Sequence, residues 1–220
     1  MRNIKKEYKK YVVIYFLIYI IINIAIIAFN NNLISGDILN ILQNNEFIIK
    51  PLYSIIAIPL ITIIGLVIMN SVSSRFKEII IFWKLKHALP GFRWQSKIAC
   101  KDSKLNIEML NKKYGKNLSP QKQQDIWYKA YQRCKSDEGI LESHKEYLFS
   151  RDLCTTTVLL LPVIITIYIF GKIYFKLHIS FLIVNIIILI SIYLILVWIS
   201  RNCANRFVCN VLALDSTNNL

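Results

Sequence analysis

Four stretches of this chain lose the alternation of polar and apolar positions. Residues 11–29 (YVVIYFLIYIIINIAIIAF) and 51–69 (PLYSIIAIPLITIIGLVIM) carry no charged side chain, and each has about the 20 residues a helix needs to cross a hydrocarbon core. Residues 153–171 and 177–200 form two more such blocks, separated by the tether Lys172-Ile173-Tyr174-Phe175-Lys176. The pattern predicts an all-α integral membrane protein with four transmembrane helices: an N-terminal hairpin within residues 1–69 and a C-terminal hairpin over 153–200. The first block is too long for a cleavable signal core and no small-x-small site follows it, so it reads as an uncleaved span.

Between the hairpins the helical period returns. Val72, Phe76, Ile79, Ile80, Trp83 and His87 recur at i, i+4, i+7, i+8, i+11 and i+15, an apolar stripe on one face of a helix. Span two is therefore expected to run on to Lys86, about 54 Å from Pro51 at 1.5 Å per residue, with Pro90-Gly91 ending it. A helix over about 104–114, closed by Gly115, comes next. Ser119-Pro120 opens another, serine as N-cap and proline at the first position, with Ile126, Trp127, Ala130, Tyr131 and Cys134 as its buried stripe. From Ile140 the chain continues into span three without Gly or Pro until Pro162. Residues 70–152 thus read as a helical cytosolic subdomain inserted between helices two and three, and 201–220 as a cytosolic tail. The outer loop, 30–50, reads as a loop or a short interfacial helix.

Composition supports this division. Hydrophobic residues make up 55% of the 220, the mean hydropathy is +0.45, and the formal net charge is +14. Five Lys and Arg precede the first span, one lies in the first loop, and seventeen lie in residues 70–152 against nine Asp and Glu. Lys and Arg mark cytosolic segments, so N- and C-termini are both expected in the cytosol, at the cell inner membrane. The five cysteines then fall on the reducing side, and no disulfide framework is expected.

Chemistry is sparse. Glycine-rich phosphate loops, Gly-x-Ser-x-Gly, His-Glu-x-x-His and Cys-x-x-Cys are absent, so no catalytic residue, metal or cofactor is assigned. His87, Cys100, Cys134 and His144 match no metal-ligand spacing. The spans carry no charge, which disfavours a carrier; Asn23 and Asn185 read as interhelical glue. The basic surface fits anionic lipid headgroups, a protein partner or a second copy of the chain, with nucleotide or nucleic acid less favoured.

One stretch reads like a motif, KHALPGFRWQS at 86–96. Arg93 follows the structural turn Pro90-Gly91 and is flanked by Phe92 and Trp94, an arrangement suited to phosphate or carboxylate; an alternative is that Arg93 ties the loop to Asp152 or Glu146. With QQDIWYKAYQRC and HKEYLFSRD farther on, the segment 86–152 resembles small uncharacterised four-pass bacterial membrane proteins. That resemblance implies topology alone and marks Leu89, Pro90, Gly91, Arg93, Trp127, Tyr128, His144, Arg151 and Asp152. The residues expected to bind a ligand or partner are Arg93, Trp94, His144, Arg151 and Asp152. The expected function is a non-enzymatic membrane protein that couples binding in the cytosolic subdomain to its membrane helices, as a sensor or membrane-permeabilising effector. The alternatives are a membrane enzyme using His87, Arg93, His144 and Asp152 on a lipid-linked or nucleotide substrate, and an anchoring subunit.

Overall fold

A computed structural model describes residues 4–30, 71–98, 105–175 and 179–217. The expected second span, the outer loop and Cys100 lie outside these residues. The α-helical elements are α1 Ile4–Asn30, α2 Ser74–Phe82, α3 Ile107–Tyr114, α4 Pro120–Cys134, α5 Glu138–Phe175 and α6 Ile179–Thr217. A 3₁₀ turn, Pro90–Arg93, and a π turn, Trp94–Ile98, connect α2 towards α3. No strand occurs among the described residues.

Among the described residues, α5 and α6 each contain a stretch long and apolar enough to cross a membrane. Both are longer than expected. The first four residues of the expected tether are the last turn of α5, and residues 201–217, expected as a tail, are the last turns of α6. Pro162 sits within α5 without ending it.

The described residues divide into two compact units. The first combines α1 up to Tyr8, Ser74–Cys154, and α6 from Ile195 onward; the second takes α1 from Lys9 and the Thr155–Leu194 stretch of α5 and α6. The subdomain read as 70–152 therefore also includes the first turn of α1 and the last part of α6. Its core holds Trp94, Ile98, Leu105 and Leu110 together with Val208, Cys209 and Leu212 of α6. The helix α6 is retained past Arg201 because apolar residues continue at Phe207, Val208, Val211 and Leu212, all buried.

In the second unit Phe16, Ile20, Leu160, Ile164, Tyr168 and Leu189 pack together. Asn185 joins helices as expected: Tyr19 Oη donates to its Oδ1 at 3.3 Å and its Nδ2 donates to Tyr168 Oη at 2.9 Å. Asn23 instead donates to the carbonyl of Tyr19, one turn back in its own helix. Ile18, Ile21, Ile22, Ile183, Val184 and Ile187 are exposed, large apolar side chains of the kind that mark a partner or membrane contact.

Candidate functional site

Helix α2 differs from its sequence pattern in length and in face. It stops at Phe82, and Trp83 leaves it with φ 52°. Residues Val72 and Ser73 are not helical, so the expected unbroken rod to Lys86 is interrupted on both sides. Phe76, Trp83 and His87 of the expected stripe are exposed, whereas Lys77, Ile81 and Phe82 are buried. The face turns because Lys77 has a buried counter-charge: its Nζ lies 3.1 Å from Asp152 Oδ1.

Asp152 is the centre of a buried network in the first unit. Its Oδ1 accepts from Lys77 Nζ and from Arg151 Nε and Nη2 at 3.2 and 3.1 Å. Its Oδ2 accepts from Tyr8 Oη at 3.1 Å. Arg151 and Asp152 are 7% and 5% exposed, so two cations and one anion share a poorly solvated space in which each needs the others. Tyr8 and Lys77 were not singled out in the sequence, and their partner lies 144 and 75 residues away.

Beside this network lies a cavity of about 130 Å³ lined by Glu78, Leu89, Pro90, Gly91, Trp127, His144 and Arg151, among others. It gathers most of the positions marked by the resemblance. Pro90 opens the 3₁₀ turn instead of ending a helix, with Leu89 extended before it at φ −64°, ψ 147°, the conformation a following proline favours. Gly91 has no positive φ; its role is space. A Cβ there would stand 2.2 Å from Gln124 Oε1 and 3.2 Å from Trp127 Cε3, so glycine lets the turn lie directly on α4. That helix begins as expected, Ser119 Oγ accepting from Lys122 N, and buries Ala130 and Cys134.

The cavity walls offer few free groups. His144 Nδ1 shares a hydrogen bond with Tyr131 Oη at 3.1 Å, and its ring stacks on Phe207 at 4.8 Å and 2°. Trp127 stacks on Tyr131 and meets Phe207 edge-on, and its Nε1 is buried without a hydrogen-bond partner among the described residues. Burial raises the Glu78 carboxyl above its ordinary pKa, with Arg151 opposing. Tyr128 stays exposed on the outer side of α4.

Arg93 and Trp94 take other positions. Trp94 is fully buried and its Nε1 donates to the Gln123 carbonyl at 2.9 Å, which makes it a core residue and removes it from the ligand-facing set. Beside it a knot of glutamines, missed in the sequence, holds the turn: Gln123 Oε1 accepts from Gln95 N, while Gln95 reaches Asn111, Gly115 and Leu118. Arg93 lies over the Phe82 ring at 5.7 Å. It does not tie to the suggested acids, since Asp152 is held as above and Glu146 pairs with Arg206 at 2.8 Å.

The residues of the enzyme alternative are dispersed. His87 packs its ring on Phe92 at 4.8 Å and lines a different hollow from His144. Among the described residues no three His, Cys, Asp or Glu side chains group to hold a metal. Burial pushes the Cys134 thiol up, the direction that suppresses thiolate chemistry.

The same unit holds a second buried carboxylate. Asp215, 1% exposed, receives Lys113 Nζ at 2.9 Å and Arg133 Nε at 2.6 Å, with Tyr114 Oη also donating. It binds the end of α6 to α3 and α4. Searches of protein-family models, curated proteins and solved structures returned no match to the chain.

Proposed function

We propose that the protein is a non-enzymatic four-pass protein of the cell inner membrane, with both termini in the cytosol. Its basic first unit binds an anionic ligand or a partner protein, and the event passes to the membrane helices. A sensor or a membrane-permeabilising effector of a bacterial stress or phage-defence system has this design, by analogy of architecture.

One observation carries the reading. Arg151 and Asp152 stand on α5 immediately before its apolar stretch, and both are buried in an ion network whose other members come from α1 and α2. The neighbouring cavity is lined by Arg151 together with the Pro90-Gly91 turn. A ligand or partner side chain engaging Arg151 therefore competes with Asp152 for the same guanidinium and acts on α5 itself. A change in a buried network of this kind favours one of two discrete packings over graded deformation.

The test is purification of the full chain in mild detergent, with parallel single variants. The reading expects the protein to emerge with a partner or as an oligomer, and expects Gly91→Met, which forces the turn away from α4 at the cavity wall, to abolish its cellular effect while His87→Ala retains it. A monomeric, partner-free protein contradicts it. Dependence on both His87 and His144, with Gly91→Met tolerated, supports the enzyme alternative instead.

A further inference from the structure

The motif arginine, set apart from the cavity, belongs to a second cluster in the first unit. Arg201 lies 4.3 Å over the Trp83 ring and its Nε donates to the Ile81 carbonyl at 2.7 Å. Arg93 lies over neighbouring Phe82. Lys84 follows Trp83 in the chain, and its pKa is lowered by Arg93, then by burial and Lys97; that of Arg93 is lowered by burial and by Arg201. These four cations repel one another, and among the described residues none of them pairs with a carboxylate. Repulsion of this kind is relieved when an anion binds.

An open groove of about 570 Å³ adjoins the cluster, lined by Lys97, Trp198, Asn202, Cys203, Asn205 and Arg206. Trp198 is 67% exposed and Ile195 57%. Positions 195, 198, 202, 205, 206 and 209 recur at helical spacing, so the exposed apolar face of α6 ends in this groove. Trp83, which Arg201 covers, is itself 58% exposed. Tryptophan beside arginine and lysine at the end of an apolar helix is the composition of a bilayer interface.

We propose that the groove of Lys97, Asn202 and Arg206 is a binding site for the phosphodiester of an anionic phospholipid, with Trp198 and Ile195 against its glycerol and upper acyl chain. Lys97 supplies a point charge with no carboxylate partner among the described residues. Arg206 gives one N–H to Glu146 across an exposed bridge, 62% and 47% accessible, which contributes at most weakly to stability and leaves further donors of its five for the phosphate. Arg93, Lys84 and Arg201 supply the surrounding positive field. The proposal rests on the membrane reading above, and it assigns the motif's Arg93 to the lipid rather than to the cavity.

The experiment reconstitutes the full chain in nanodiscs of phosphatidylcholine with a fixed fraction of brominated phosphatidylglycerol, or of brominated phosphatidylcholine, and reads tryptophan quenching. Stronger quenching by the brominated anionic lipid is expected. Lys97→Gln/Arg206→Gln should lower that preference by roughly fivefold per cation removed, whereas Lys97→Arg/Arg206→Lys should keep it, separating charge from folding. Equal quenching by the two lipids, or an unchanged preference in the glutamine variant, overturns the site. So does loss of preference on adding inorganic phosphate, which would make it a small-anion site. A chain that fails to enter nanodiscs refutes the membrane reading as well; one that enters without lipid preference refutes the lipid site alone.

Discussion

Replacing Asp152 by asparagine keeps the shape of the side chain and removes the one negative charge that Lys77, Arg151 and Tyr8 share. Lys77 and Arg151 have side chains only 10% and 9% exposed, so neither reaches solvent without moving its helix. Removing one partner of a buried ion pair costs about 3–5 kcal/mol, because the other charge stays behind unpaired. For a chain of this size that corresponds to a fall of about 6–20 °C in unfolding midpoint. Lys77→Met/Asp152→Asn should restore part of the loss by removing one stranded cation, although Arg151 remains. The assay is tryptophan-monitored thermal unfolding in detergent at a fixed scan rate, over the complete double-mutant cycle. Additive losses, or a midpoint for Asp152→Asn within a degree of wild type, would refute the claim that these charges form one buried unit.

Three more outcomes follow from the same geometry. Gly91→Ala should destabilise by about 1–3 kcal/mol, the usual cost of overpacking, and Gly91→Ala/Gln124→Ala should recover most of it, because Gln124 Oε1 is the atom the new methyl meets first; an unchanged midpoint would contradict the close approach. Glu78→Gln should stabilise the protein at neutral pH. The native carboxyl titrates above its ordinary value, so the folded state binds more protons than the unfolded state between the two pKa values, and stability falls as pH rises through that window. Midpoints measured from pH 4 to 8 should therefore converge at the acid end. Asp215→Ala should free the last turns of α6, seen as faster amide exchange at residues 207–217 and loss of protection in α3, since Lys113 and Arg133 lose their shared acceptor.

Local pattern disclosed much of this architecture. The cap of α4 and the burial of its Ala130 and Cys134, with Ile126, Trp127 and Tyr131 of the expected stripe half-buried, the continuity of α5 into its apolar stretch and the joining role of Asn185 all depend on residues a few positions apart or on composition. Long-range pairing was not legible. Lys77 looked like a solvated residue because nothing near it in sequence shows Asp152, and the stripe on α2 was placed on the wrong face for that reason. Residues 201–217 looked like a tail because Arg201, Asn202 and Arg206 interrupt the apolar run; their helix persists because Phe207, Val208 and Leu212 fill the core around Trp94. Of the candidate site, the motif singled out the turn at Pro90-Gly91, and the resemblance across 86–152 singled out His144, Arg151 and Asp152. Glu78, Tyr8 and Asp215 had no sequence signal beyond their charge or hydroxyl, and Trp94 looked accessible only because an aromatic beside arginine resembles a binding pair.

The central claim is that an event at Arg151 reaches the membrane through α5, and membrane potential reports it most directly. Cells expressing the wild-type chain or Arg151→Gln at equal membrane abundance would be recorded with a potential-sensitive dye. The account predicts depolarisation with the wild type and its loss with Arg151→Gln. An unaltered potential with both chains, or the same depolarisation with both, contradicts it.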